Sequence, residues 1–172
     1  MSFADGSPRA SAVEMNELVL PSHANALGTV FGGQIMAWID ICAALAAMKH
    51  ARCQCVTASM DALDFIVPIE VGHLVTLRSM VNFVGKTSME VGVRVESGEP
   101  TSAVRAHAAS AYLTFVALDA ERRPTAVRGL VVETPEERLR AEEAAARRAT
   151  RLELAAARKA LRARHDASRL GG

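Results

Sequence analysis

The sequence predicts an α+β domain in which an antiparallel sheet curls around one long helix. Three observations carry this prediction. The stretch GGQIMAWIDICAALAAMKH, residues 32–50, is apolar on nearly every face, as a helix surrounded by protein is. Segments that alternate with period two follow it in series, separated by turns containing Gly or Pro. Residues 133–172 then change composition to Ala, Glu and Arg, the pattern of a separate charged helix.

Bulk properties set the outer limits. A chain of 172 residues suits one domain, and half of its residues are hydrophobic. Aromatics are 4%, so the core is aliphatic and rich in Met. A net charge of +1 gives no electrostatic ground for binding nucleic acid or an anionic membrane. The opening MSFADGSPRA lacks the basic start and apolar run of a signal peptide, and residues 1–10 are expected to be disordered. The apolar stretch around Asp40 is shorter than a bilayer span and carries a charge, so a cytoplasmic protein is expected. Cys42, Cys53 and Cys55 are an odd set without C-x-x-C spacing, and the five His are scattered. Neither a disulfide framework nor a metal site is expected.

The elements follow in order. ASAVEMNELVLP (10–21) alternates loosely and stops at Pro21, a first strand. Residues 22–31 form a loop, and the helix begins at Gly32. CVTASMDALDF runs as a strand to the turn at Pro68. GHLVTLRSMVNFV sets Val75, Leu77, Val81 and Phe83 on one face. GKT makes a tight turn, and SMEVGVRVES alternates with Met89, Val91, Val93 and Val95 inward and Glu90, Arg94 and Glu96 outward. AVRAHAASAYLTFVALD is one long strand whose alanines and Ser110 leave room for a large neighbour. The domain therefore spans residues 11–132. In the tail, Thr134 fits a helix N-cap, Pro135 the first helical position and Glu137 the reciprocal cap. The helix reads as mostly solvated, with a thin stripe of Leu139, Leu152 and Leu161 and i,i+4 pairs Glu136–Arg140 and Glu143–Arg147.

One residue breaks the pattern. Asp40 stands among Ile39, Ile41, Cys42 and Leu45, and a buried carboxylate without a partner costs several kcal/mol. Either it is paired, with Arg78, Arg105 or a hydroxyl such as Thr57, or it does chemistry. Gly32 and Gly33 open the same helix roughly 11–12 Å away along its axis. Their N–H groups lack intrahelical partners and sit at the positive end of the helix dipole, where they suit a polarised carbonyl oxygen. Asn25, in the preceding loop, can donate and accept at once. Carboxylate, amide and bare helix end make the inventory for hydrolysing an activated acyl group. Cys42 has no His placed to activate it and reads as packing. No P-loop, dinucleotide fingerprint, HExxH or GxSxG occurs.

PSHANALGTVFGGQIMAWID, which carries these residues, resembles the signature of hot-dog-fold acyl-CoA thioesterases, in particular the broad-specificity cytosolic acyl-CoA hydrolases. The resemblance continues through DALDFIVPIEVGHLV, VNFVGKTSMEVGVRVE and AYLTFVALDAERRP, about residues 12–127. It implies the hot-dog fold and the reaction of acyl-CoA with water to give CoA and a carboxylic acid. It implies Asp40 as general base or nucleophile, Asn25 orienting the water or thioester, and Gly33 with Gly32 holding the carbonyl. It implies dimers with two sites at their interface, commonly assembled as trimers of dimers into hexamers. Some relatives carry a hydroxyl one turn after the carboxylate; here that position is Ala44, leaving Thr57 or Ser59 as replacements. CoA is expected at Gly85, Lys86, Thr87 and Ser88, with Arg122 and Arg123 as further phosphate ligands. No cofactor is implied, CoA being part of the substrate.

Two other readings stay open. A hot-dog dehydratase or hydratase would want a His near Asp40 on the helix, where there is none. A non-catalytic acyl-CoA-binding module would not need Asn25 and Asp40 together.

Overall fold

A computed structural model describes residues 5–170, with side chains through residue 163. Five antiparallel strands form one sheet in the order β1-β3-β4-β5-β2. They are β1 (Val13–Leu18), β2 (Gln54–Phe65), β3 (Leu74–Val84), β4 (Ser88–Gly98) and β5 (Ala106–Leu118). A short helix, α1 (Pro8–Ser11), precedes β1; α2 (Gly32–Ala51) lies between β1 and β2; α3 (Pro135–Leu170) follows β5.

The core lies between α2 and the sheet. From α2 come Ile35, Trp38, Ile39, Cys42, Ala43, Ala46 and Ala47, all buried. From the strands come Val75, Leu77 and Val81; Met89, Val91, Val93 and Val95; and Ala109, Ala111, Leu113, Phe115 and Ala117. The inward set on β4 is the one period-two alternation selects. Small residues on both α2 and β5 let the helix settle close to the sheet. On β3 the alternation slips: pairing with β4 shifts register between Val81 and Phe83. The bulge turns Phe83 away, and the partly buried Val84 packs against the core instead.

One face of α2 has no partner among the described residues. Met36 is 42%, Ile41 51% and Leu45 44% exposed. The sequence expectation of a helix enclosed on all sides therefore does not hold for a single protomer. Edge strand β2 and the residues after it also expose Val56, Phe65 and Ile66.

The first residues depart from expectation too. Residues 1–4 lie outside the described residues. From Asp5 onward the chain is ordered, not disordered, because it has partners. Asp5 pairs with Arg128 and Arg52. Val131 N–H donates to the Gly6 carbonyl at 3.0 Å. Ser7 is buried and caps α1, and the Ser11 hydroxyl accepts from Val81 N–H at 2.9 Å.

The tail helix begins as its sequence says. Glu137 N–H donates to Thr134 Oγ1 at 3.2 Å, and Thr134 N–H donates to Glu137 Oε2 at 3.2 Å, a reciprocal cap. It then packs on the outer face of the sheet, through a stripe other than the expected leucines. Ala144 is fully buried, whereas Leu139, Leu152 and Leu161 are exposed. Glu90, on the outward side of β4, is 2% exposed because Arg147 covers it, with Nη2 2.7 Å from Oε1. The same guanidinium lies 3.7 Å from the centroid of the Tyr112 ring. Arg151 pairs with Asp61 on β2. Residues 152–163 beyond this anchor are exposed.

Arg147→Ala strands the Glu90 carboxylate under the helix without its cation. The expected cost is about 3 kcal/mol of unfolding free energy. Urea melts measure it, and a change under about 0.5 kcal/mol would mark the pair as an ordinary surface contact.

Candidate active site

The Asp40 side chain has a partner, and it is a hydroxyl. Thr57 Oγ1 on β2 donates to Asp40 Oδ1 at 2.6 Å. The two arginines weighed as partners are occupied elsewhere. Arg78 bonds Glu14 and Glu96, and Arg105 bonds the carbonyls of Glu99, Ser102 and Val104. Among the described residues the recorded ion pairs do not include Asp40. It is half-buried on the open face of α2, with exposed Met36 one turn before it and exposed Ile41 next to it in the chain. Ser59, the other hydroxyl considered, donates to Asp61 instead.

The helix front end forms a second cluster. Phe31 caps α2 in extended conformation, and its carbonyl accepts from Gln34 N–H at 2.8 Å and Ile35 N–H at 3.4 Å. Gly32 and Gly33 occupy the orphan donor positions ahead of them. A Cβ on Gly33 would lie 2.3 Å from Phe31 Cε1, so a bare backbone is what lets that ring lie across the helix start. A Cβ on Gly32 would lie 3.4 Å from Phe65 Cζ.

Asn25 belongs to this cluster. Its Oδ1 accepts from Leu27 N–H at 2.8 Å and Thr29 N–H at 3.3 Å, and its Nδ2 donates to Thr29 Oγ1 at 3.0 Å. This is an Asx-type turn that fixes the loop into α2. Thr29 in turn lines, with Gly32 and Phe65, a cavity of about 340 Å³ at the helix start. The sequence reading missed Thr29. A hydroxyl four residues after an Asn in a Gly-containing loop is the signal that could have found it.

Two neighbouring residues are structural. His23 Nδ1 accepts from Leu20 N–H, and its ring meets Trp38 edge-on at 5.1 Å. Cys42 is fully buried beside the Ser79 hydroxyl, and burial pushes its thiol pKa up, away from the thiolate a nucleophile needs.

The Gly85–Ser88 hairpin joins β3 and β4. Gly85 N–H donates to the Ser88 carbonyl at 2.7 Å. The Thr87 carbonyl accepts from Ala117 N–H and the Lys86 carbonyl from Val127 N–H, leaving the Lys86 side chain exposed. The turn after β5 stands at the same end of the sheet. There Arg122 is exposed with φ +60°, while Arg123 is held by Asp119 and Glu121. Ser88 pairs with Val116, which pairs with Val56, so the hairpin is level with the Asp40–Thr57 contact, about 10 Å away across two strand spacings.

The expected site residues thus fall into two groups within one protomer: Asn25, Gly32 and Gly33 at the helix front, and Asp40 with Thr57 two turns along. The CoA-side candidates gather at the far end from the cavity.

Comparison with known proteins identifies relatives of this arrangement. Residues 27–104 match the family model described as the thioesterase superfamily. The uncharacterized acyl-CoA thioester hydrolase YkhA of Bacillus subtilis is 43% identical over 127 residues, 74% of each chain. The cytosolic acyl coenzyme A thioester hydrolase of Homo sapiens is 38% identical over 73% of this chain and 34% of its own. The chain spans between a quarter and about a third of the length of such mammalian relatives. An acyl-CoA hydrolase from Staphylococcus aureus, solved with butyryl coenzyme A, coenzyme A and coenzyme A disulfide, superposes with a TM-score of 0.81 at 39% identity, covering 90% of this chain and 97% of that one. It has also been solved with alanine replacing an asparagine, an aspartate and a threonine, at the two intervals along the chain that separate Asn25, Asp40 and Thr57 here. An apo-hexameric acyl-CoA thioesterase superposes with a TM-score of 0.83 at 41% identity, covering 87% of this chain and 96% of that one.

Proposed function

The chain belongs to the thioesterase superfamily, and from that membership we propose its activity and its mechanism: it hydrolyses acyl-CoA to CoA and a carboxylic acid at a site built around Asp40. The observation that carries this reading is the Asp40 carboxylate, fixed by the Thr57 hydroxyl rather than neutralised by an arginine, on the open face of a helix whose front end presents free N–H groups. The matching intervals of the residues replaced in the Staphylococcus aureus hydrolase support the roles of Asn25, Asp40 and Thr57.

The chemistry follows from these groups. A Gly33 or Gly32 N–H holds the thioester carbonyl oxygen and stabilises the charge it gains. Asp40 takes a proton from water, the water oxygen bonds to the carbonyl carbon, and the C–S bond breaks as the proton passes to the leaving CoA thiolate. In the alternative order Asp40 attacks the carbonyl carbon and the C–S bond breaks to expel the CoA thiolate; water then opens the resulting anhydride, regenerating the Asp40 carboxylate and releasing a carboxylic acid, whose proton passes to the thiolate. Both orders use the same placement, with Thr57 locking the carboxylate rotamer. The phosphates of CoA meet Lys86, Thr87, Ser88 and Arg122; Gly85 shapes the turn, and Arg123 is engaged by its own acids.

Distance then demands a second copy. The front glycines and Asp40 lie roughly 11–12 Å apart along one helix, too far for a water between them to touch both. The open stripe of Met36, Ile41 and Leu45 beside Asp40 is where a second protomer brings its own helix front and Asn25. Each dimer then has two equivalent sites. Exposed Val56, at the start of edge strand β2, continues that interface, and the hexameric neighbour supports assembly of dimers in threes. The human cytosolic relative supports action in the cytoplasm.

Free-thiol release from a series of acyl-CoAs tests the activity. Stoichiometric thiol and carboxylic acid are expected. Hydration of an enoyl-CoA without thiol release would assign the site to a hydratase, and binding without turnover would assign it to a binding module.

A further inference from the structure

We propose that the cavity at the front of α2 receives the acyl chain of a medium-length acyl-CoA, and that Phe65 and Val67 set the preferred length. This inference rests on the acyl-CoA hydrolase reading above and names its substrate class.

The cavity begins where the thioester carbonyl would end. Gly32, one of the two front-end donors, is part of its wall. Ile35, one turn further and fully buried, and Ile69, 2% exposed, line it as well. Its rim is Phe65 and Val67, which are 54% and 37% exposed. Among the described residues no charged side chain lines it, and its polar side chain, Thr29, is already bonded to Asn25. A CoA head or a phosphopantetheine arm carries phosphate and amide groups that would find no partner there; a hydrocarbon chain needs none. The phosphate candidates at Lys86 and Arg122 lie level with Asp40 of their own protomer, so a thioester that meets that Asp40 at a partner's helix front turns its acyl end away from them, into the cavity behind that front.

Volume sets the length. A cavity of about 150 Å³ walled by aliphatic and aromatic side chains takes up a six-carbon ring in another protein. In proportion, about 340 Å³ has room for at most roughly fourteen carbons, and for roughly ten to twelve once the open rim at Phe65 and Val67 is left to solvent. Buried methylenes strengthen transition-state binding by up to about fifteenfold per two carbons until the space is full.

Two measurements test this. The first is kcat/KM for thiol release from saturated acyl-CoAs of increasing length, for the wild type, Val67→Trp and Phe65→Ala. The second is calorimetric binding of S-decyl-CoA and S-ethyl-CoA thioethers to the same three proteins, which needs no hydrolysis. The wild type is expected to peak near decanoyl- to dodecanoyl-CoA and to bind S-decyl-CoA more tightly than S-ethyl-CoA. Val67→Trp fills the mouth and should lower decanoyl-CoA turnover at least about tenfold, with acetyl-CoA turnover within about twofold. Phe65→Ala removes a wall and should flatten the length preference about threefold or more. A loss that is equal at every chain length would assign the cavity to the pantetheine arm and overturn the proposal. A fall in native mass in both variants would assign it to a second copy and overturn it equally. Absence of thiol release from the wild type, with length-dependent thioether binding kept and lost in Val67→Trp, would sink the hydrolase reading while upholding the cavity.

Discussion

Asp40→Asn is expected to lower kcat for acyl-CoA hydrolysis at least about a hundredfold, the scale of losing a general base. The substitution isolates the chemistry. An amide has nearly the carboxylate's shape, and its carbonyl oxygen still accepts the Thr57 hydroxyl that now bonds Oδ1 at 2.6 Å. What it lacks is the ability to take a proton or to attack a carbonyl carbon. Because Asp40 has no guanidinium partner among the described residues, the change leaves no stranded cation behind there, and the melting curve should stay close to that of the wild type. KM should change little, since the proposed CoA contacts lie elsewhere. Thiol-release kinetics at saturating substrate decide it. A kcat within about threefold of the wild type would remove Asp40 from the reaction whatever its surroundings look like.

How much of this was legible in the sequence varies from residue to residue, for physical reasons. Helix α2 was visible because an apolar run opened by two glycines has few other ways to fold. Strand β4 was visible because its alternation is unbroken. Asp40 stood out because a lone charge among aliphatics needs a cause, and Thr57 could be weighed as its partner. Phe83 was misassigned because the bulge after Val81 leaves no mark in an alternating pattern. The cover over Glu90 was hidden for a different reason. Alternation gives the face of a strand but not what lies on it, and an Arg-rich helix reads as solvated unless one knows that a buried carboxylate awaits it. The ordered start from Asp5 depends on Arg128 and Arg52, partners far along the chain that composition does not reveal. The cavity behind Gly32 is assembled from the α2 start and the residues after β2, and a volume between two elements has no one-dimensional signature.

The separation within α2 also reaches beyond a single chain. In the proposed reaction its front end and its carboxylate serve different reacting atoms, the carbonyl oxygen and the attacking water, which approach to within a few ångströms of one another. A rigid helix cannot bring its own residues 33 and 40 that close. In the proposed dimer the exposed apolar stripe flanking Asp40 is the surface on which a second helix front brings them together.

Co-expression of two inactive variants tests that claim most directly. Asp40→Asn and Asn25→Ala protomers, carrying different tags, are purified as the mixed species and assayed for thiol release beside each parent. If every site takes its carboxylate from one protomer and its helix front from the other, the mixed dimer contains one site with both residues intact. It should recover about half of the wild-type activity, from parents at or below about a hundredth of it. If each site is built within a single protomer, both sites of the mixed species carry a lesion. Activity no higher than that of the parents would contradict the account.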